Sequence, residues 1–309
     1  MVFGVDIGGT QIRAALFDDN YTILHRVEFP NNRSLSAETN LEKITAFINT
    51  AKAEDRPAGG SRPADGGPVR GIGMGCPGPL DFRLGKILNP PNLYGWNDFE
   101  IVRYFEEKTG FPAALTNDAN AAGLAEARLG AGRGCESVFY ITVSTGVGGA
   151  YIYRGELVTG AHSAAAEVYN LMVCEDPYCH RGANPGSLNE MCGGDALARQ
   201  GTEAFGRPVD AKELYEELYL KEKDPRAAAI VERCADNLAR GIGNIACVAD
   251  PDIFVFGGSI ALRSPVLLAL VEARAKRYMI RPEYLCLRSA QFGGDAGLIG
   301  AAMLAEHLS

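Results

Sequence analysis

Asp6-Ile7-Gly8-Gly9-Thr10 and Ser144-Thr145-Gly146-Val147-Gly148-Gly149 are glycine-rich turns, each lying between β-like segments. Val2–Val5 and Ile12–Phe17 flank the first, and Val138–Val143 and Ala150–Tyr153 flank the second. The glycine turn of a dinucleotide fold or a P-loop feeds a helix. These turns feed strands: residues 11–17 are too short for a helix before Asp18-Asp19-Asn20 breaks the run, and Tyr21–Phe29 is again β-like. Each unit reads as a hairpin whose tight turn presents backbone N–H groups to an anion. Two such hairpins in one chain predict a duplicated fold that grips phosphates from two sides. Asp118, within Asn117-Asp118-Ala119-Asn120, falls where a strand meets a helix N-terminus. A carboxylate there can accept a proton from a hydroxyl as that oxygen attacks phosphorus. It can also cap the helix, the commoner use of Asp at that place, and the paired turns elsewhere tilt the choice toward chemistry. Asp6, beside its turn, suits a hydrated Mg²⁺ or a bond to its own backbone. Gly257-Gly258, after the apolar run Ile253–Phe256, suits either close approach of a nucleotide or a tight strand-to-helix turn.

These residues need elements to hold them. Ala37–Ala53 has helical spacing, with Leu41, Ile44, Phe47 and Ile48 on one face. Residues 54–69 are low in complexity and predict a solvated loop. Gly71–Met74 reads as a strand running into the rigid turn Cys76-Pro77-Gly78-Pro79, Asp98–Thr109 as a helix and Ala113–Thr116 as a strand. The helix opened by residues 117–120 reaches about Leu129. Residues 155–194, rich in Gly, Cys, Asn and Pro, resist assignment. Leu188–Gln200, Ala211–Leu220 and Arg226–Ala249 read as helices, a further helix starts near Pro265, and a last one near Gly297. The order predicts two α/β domains of similar design with the cleft between them as the site: residues 1–116 with about 290–309 in one, 117–289 in the other.

Bulk composition narrows the classes. A chain of 309 residues, 47% hydrophobic and 22% charged, is that of a globular protein with room for two domains. A net charge of −8 argues against a broad nucleic-acid face or an anionic membrane surface, though not against an anionic ligand held by backbone amides and Mg²⁺. No apolar run approaches the ~20 residues of a membrane helix. The opening Met-Val-Phe-Gly-Val-Asp is already a strand and not a signal peptide. Eight scattered cysteines do not make a compact disulfide framework, and they predict a reducing, cytoplasmic setting.

The motifs together resemble the ROK family of bacterial sugar kinases. The likeness rests on Asp6-Ile7-Gly8-Gly9-Thr10, Gly75-Cys76-Pro77-Gly78-Pro79, Pro91-Asn92-Leu93, Asn117-Asp118-Ala119-Asn120, Thr145-Gly146-Val147-Gly148-Gly149, Gly257-Gly258 and Gly293-Gly294-Asp295-Ala296-Gly297-Leu298-Ile299-Gly300-Ala301-Ala302, in family order over nearly the whole chain. It implies the actin-like ATPase fold, two ribonuclease-H-like domains closing around ATP and a hexose, and a homodimer. It implies Asp118 as general base and Asn117, Asn92 and Gly78 as the sugar pocket. Gly8, Gly9 and Thr10 would form the first phosphate turn with Asp6 near Mg²⁺, Thr145 and Gly146 the second, and Gly257 and Gly258 would flank adenosine. Glu167 matches the glutamate of the family's Glu-x-Gly-His sugar motif.

That motif reads Glu167-Val168-Tyr169-Asn170 here, so Asn170 stands where the family has a zinc-binding histidine that also touches sugar. The family's Cys-x-Cys-Gly-x-x-Gly-Cys-Leu-Glu zinc segment corresponds to His180-Arg181-Gly182-Ala183-Asn184-Pro185-Gly186-Ser187-Leu188-Asn189, which puts His180, Gly182 and Ser187 at the cysteine positions and Asn189 at the sugar-contacting glutamate. An amide offers a donor and an acceptor but no charge. The substitutions therefore predict loss of the structural zinc and an altered sugar preference, with Asn170 and Asn189 still as sugar contacts. Cys174, Cys179, His180 and Cys192 are the alternative ligand set. Two competing readings stay beside the kinase: a regulator, which in this family carries a helix-turn-helix ahead of the first turn, and a catalytically weak sugar binder, prompted by Asn170 and Asn189. Only five residues precede Asp6, and the chain is acidic, which disfavours the regulator.

Overall fold

The computed structural model describes residues 1–54, 68–90, 93–180 and 182–308. Most of the low-complexity stretch at 54–69 lies outside the described residues, as does Asn92. The chain forms two compact units, Met1–Ala125 with Gly160–Ser163 and Asp295–Ser309, and Glu126–Thr159 with Ala164–Gly294.

The first unit is built from β1 (Val2–Ile7), β2 (Gln11–Phe17), β3 (Ile23–Pro30), α1 (Ala37–Glu54), β4 (Ile72–Cys76), a small pair β5 (Leu80–Asp81) and β6 (Lys86–Ile87), α2 (Ile101–Thr109), β7 (Ala113–Asn117) and most of α3 (Asp118–Arg128). The second contains β8 (Ser137–Val143), β9 (Val147–Tyr153), β10 (Glu156–Leu157), a 3₁₀ turn at Val168–Asn170, α4 (Leu188–Cys192), α5 (Gly194–Phe205), α6 (Ala211–Glu213) continuing as a π-helical stretch Leu214–Lys221, α7 (Pro225–Ala249), β11 (Ile253–Gly257), α8 (Ser259–Arg263), α9 (Pro265–Ala275) and β12 (Leu287–Ser289). The chain then returns to the first unit as α10 (Ala296–Leu304).

Both units use one sheet design. The strand orders are β3-β2-β1-β4-β7 and β10-β9-β8-β11-β12. In each, an antiparallel three-strand meander is extended by two parallel strands. The two glycine turns occupy the same place in the repeat, closing Ile7 onto Ile12 and Val143 onto Val147. The central parallel strands β4 and β11 are buried throughout, as continuous apolar runs such as Ile253–Phe256 require.

The first core packs Phe3, Val5, Ile12 and Met74 of the sheet with Leu41, Ile44 and Ile48 of α1 and Ile101 and Phe105 of α2. On this sheet α10 contacts β1 and β4. A Cβ on Gly73 would run into the Ala301 carbonyl, so the small residues here are what let helix and sheet backbones approach. The second core joins Phe139, Ile141, Phe254 and Phe256 to α4, α5, α7 and α9. α7 begins with Pro225 at its first turn and Asp224 accepting from Arg226 N, the expected start for a helix of its length. Near the end of α3, Glu126 has no exposed surface. Its carboxylate accepts from the backbone N–H groups of Ala131 at 3.0 Å and of Gln291 and Phe292 at 2.8 Å each.

Two helices differ from expectation. Residues 188–200 form two helices, because Gly193 is extended (φ −64°, ψ 156°) and packs against the second glycine turn. The 211–220 helix is only briefly α-helical before it widens. Among the described residues, no helix is long and apolar enough to cross a membrane.

Candidate active site

In the first unit, Gly8 N–H donates to Gln11 O at 2.8 Å and closes the hairpin tip. Asn31 Nδ2 donates to Gly8 O at 2.8 Å, and Asn31 N–H to Thr10 O at 2.9 Å, so β3 braces the turn from behind. Gly9 and Thr10 stand at the tip, with Thr10 exposed. Asp6, 9% exposed, is paired with the Arg13 guanidinium through Nε at 3.0 Å and through Nη2. Arg13 and Arg26 both also reach Asp295, at 3.8 and 2.9 Å.

Asp118 opens α3 directly from β7. The capping question resolves in favour of its neighbour: Asn117 Oδ1 accepts from Asn120 N–H at 2.6 Å, the N-cap bond. Asp118 Oδ1 accepts from the adjacent Ala119 N–H, at 2.9 Å. The side chain is exposed to small molecules yet densely surrounded by protein. That crowding, first by desolvation and then by the negative charge of Asp6, raises its pKa above the ordinary carboxylate value, and the Ala119 bond opposes the shift. Burial, Asp118 and Asp6 together push the Cys76 thiol well up, so this buried cysteine stays protonated beside the carboxylates. Gly78 lies exposed in the turn that follows β4.

In the second unit, Gly194 N–H donates to Ser144 O at 2.8 Å and Asp195 N–H to Thr145 O at 3.0 Å, docking the start of α5 onto the second turn. Val147 N–H donates to Asn189 Oδ1 at 3.1 Å, while Asn189 Nδ2 donates to Glu190 at 3.1 Å. Asn189, expected at the sugar, thus braces the turn through its Oδ1, while its Nδ2 bonds the adjacent Glu190. Gly258 takes φ +87°, and a Cβ there would strike the Val143 carbonyl. Glycine is required where β11 passes into α8.

Ser144, Thr145, Gly194 and Asp195 line a recess of about 290 Å³ that Lys212, Tyr215, Ser259 and Arg263 complete. The second turn motif marked Ser144 and Thr145 of this recess and missed its other walls. Lys212, Tyr215 and Arg263 carry no motif, and only the position of Arg263 five residues beyond Gly257-Gly258 hinted at it.

Glu167 and Asn170 bound the 3₁₀ turn. The turn sits on β9: a Cβ on Gly149 would lie 2.8 Å from Val168 Cγ2 and 2.9 Å from Ala166 O. A glycine of the second turn motif therefore lets the Glu167–Asn170 segment rest on the strand leaving that turn.

Two metals are implied by the resemblance, and the residues treat them differently. Mg²⁺ takes one or two carboxylates and completes its shell with water and phosphate oxygens. Asp6 and Asp118, close enough to interact electrostatically, are the hard-oxygen carboxylates at hand for this, with Arg13 already paired to Asp6. Zinc does not fit. Cys192 is in the core with its Sγ donating to Cys234 O at 3.5 Å, while Cys179 and His180 are exposed. Among the described residues, no group of three or more His, Cys, Asp or Glu is arranged to hold a metal ion.

The profile of the ROK family matches residues 2–307. The crystal structure of a ROK hexokinase from Thermus thermophilus superposes with a TM-score of 0.87 at 37% identity, covering 99% of this chain and 97% of that one. A ROK family glucokinase from Streptomyces griseus, solved in complex with glucose and AMPPNP, gives 0.77 at 28% identity over 99% of each chain. The N-acetylmannosamine kinase of Salmonella typhi is 29% identical over 306 residues, 98% of this chain and 97% of that protein.

Proposed function

The chain belongs to the ROK family and has its actin-like ATPase fold, and from that premise we propose that it transfers the terminal phosphoryl group of ATP to a hydroxyl of a hexose or N-acetylhexosamine. The observation that carries the proposal is the division of labour at residues 117 and 118. Asn117 caps α3, so Asp118 is not needed for that bond and its carboxylate is open to a substrate. The similarity to a glucokinase that binds an ATP analogue and to an N-acetylmannosamine kinase supports the donor and the acceptor class.

In this proposal Gly8 closes the first turn through its bond to Gln11, the backbone N–H groups of Gly9 and Thr10 meet phosphate oxygens, and those of Thr145 and Gly146 do so from the second turn. The start of α5, docked on the second turn, adds its dipole to that cradle. The nucleoside lies in the recess beside Gly257-Gly258, which Ser259 of the following helix helps to line, with Lys212, Tyr215 and Arg263 around it. Asp6 would hold Mg²⁺, which when bound screens phosphate charge. Gly78, Asn92, Asn117, Glu167 and Asn170 orient the sugar, and Asn189 holds the second turn in shape. Asp118 accepts the proton of the attacking hydroxyl, its raised pKa matching it better to that proton than an ordinary carboxylate. Positioning and electrostatics supply most of the rate. The setting proposed is a cytoplasmic one, and the assembly a homodimer.

The test is coupled ADP release over glucose, N-acetylglucosamine, N-acetylmannosamine, mannose, fructose and allose, with calorimetry for sugar binding. Asp118→Asn should lower turnover roughly 10²–10⁴-fold while sugar affinity holds. Near-normal turnover in that variant removes Asp118 from the mechanism. Tight sugar binding with no turnover in the unmodified protein makes it a binder and ends the kinase proposal.

A further inference from the structure

The loop between Leu171 and Leu188 falls where the resembled family places zinc, and the donor set present does not suit one. The loop is nevertheless tied at three levels. At its base the two limbs are joined by main-chain bonds, Leu188 N–H to Leu171 O and Val173 N–H to Gly186 O, both at 2.9 Å. Gly186 has φ +65°, and a Cβ on it would strike the Cys174 carbonyl, so the limbs are in direct backbone contact. At its tip the Arg199 guanidinium of α5 stacks 3.7 Å above the centroid of the Tyr178 ring. On the flank that carries the sugar motif, Asn184 N–H donates to Asn170 Oδ1 at 2.6 Å, and Asn184 Nδ2 reaches back to Asn170 O at 3.4 Å.

We propose that this loop holds its shape without a metal, through an Asn170–Asn184 amide clamp, and that the clamp makes Asn170 a dedicated hydrogen-bond donor to the substrate. Asn170 occupies the position of the family's zinc-binding histidine. Its oxygen is engaged by Asn184 N–H, which fixes the orientation of the amide and leaves Nδ2 as the end that meets a ligand. A sugar oxygen facing residue 170 must therefore act as acceptor. The donor half of the inference rests on the sugar-kinase proposal; the clamp does not.

Two variants separate the halves. Asn170→Asp keeps an oxygen for Asn184 N–H and removes the Nδ2 donor; Asn170→Leu removes both. Hydrogen–deuterium exchange over residues 182–188 reads the clamp directly. Exchange there should stay slow in Asn170→Asp and speed up in Asn170→Leu. Sugar KM should rise roughly three- to tenfold in both variants, the worth of one neutral hydrogen bond, while kcat holds. Protein purified without chelator should carry substoichiometric zinc, and treatment with 1,10-phenanthroline should change neither exchange nor KM. Slow exchange in Asn170→Leu overturns the clamp. One zinc per chain, whose removal speeds exchange, overturns the metal-free loop. A wild-type sugar KM in Asn170→Asp overturns the donor assignment. Failure to turn over or bind any sugar removes the donor half together with the kinase proposal, while exchange and zinc content still judge the clamp.

Discussion

Gly146→Ala probes the second turn with little ambiguity. The added Cβ would lie 2.6 Å from Asn189 Oδ1 and 3.7 Å from its Cγ. No backbone blocks it, so the amide of Asn189 swings aside, and the cost is what that amide was doing. Its Oδ1 is the acceptor for Val147 N–H at 3.1 Å, and Val147 is only 6% exposed. Leaving that N–H unpaired costs about 1–3 kcal/mol. Replacing glycine by alanine restricts the unfolded chain and returns about 0.4–1 kcal/mol. The net expected loss is about 0–2.6 kcal/mol, with the upper end set by how completely water stays out. Calorimetric or urea unfolding measures it, and a double-mutant cycle with Asn189→Ala identifies its origin. In the Asn189→Ala background the clash is already gone, so Gly146→Ala should be neutral or slightly stabilising. The same variant should raise KM for ATP and leave sugar KM alone if the turn it loosens is the proposed phosphate cradle. Equal destabilisation in both backgrounds would refute the assignment of Asn189 as the brace.

Other outcomes follow from the same geometry. A base must be deprotonated to act, so activity falls as pH drops through its pKa. With the Asp118 pKa raised by desolvation and by Asp6, the acidic limb of kcat/KM should lie above the ordinary carboxylate range, and a limb at or below that range in a pH–rate profile contradicts the role. Glu126→Gln should lower the unfolding midpoint, since one of two oxygens serving three backbone N–H groups becomes an NH₂ facing a donor, at about 1–3 kcal/mol. An unchanged midpoint by differential scanning calorimetry would deny Glu126 that role.

Much of the fold was readable because its signals are local. The glycine turns marked both hairpins, the continuous apolar run Ile253–Phe256 marked β11, and the helical run Arg226–Ala249 marked α7. What was hidden depends on tertiary contact. The stripe Leu188, Met191, Cys192, Leu197 runs through Gly193 as if one helix continued, and only docking against Thr145 and Gly146 explains the break. β12 is short and mostly exposed, and it exists because β11 offers it a parallel edge. In the site, Asp6, Asp118 and the two turns stood out by residue type. The partition of roles between Asn117 and Asp118 did not, since both residue types cap helices. Nor did the commitment of Asn189 to Val147, because an amide looks the same in sequence whether it meets a ligand or a backbone.

The pairing of a capping asparagine with a neighbouring acid has an evolutionary corollary. A lineage that changed residue 118 alone would keep a helix already tied off by residue 117, so the local fold would outlast the loss of the acid. On the role proposed for Asp118, one codon then separates a catalyst from a silent binder built on the same helix start.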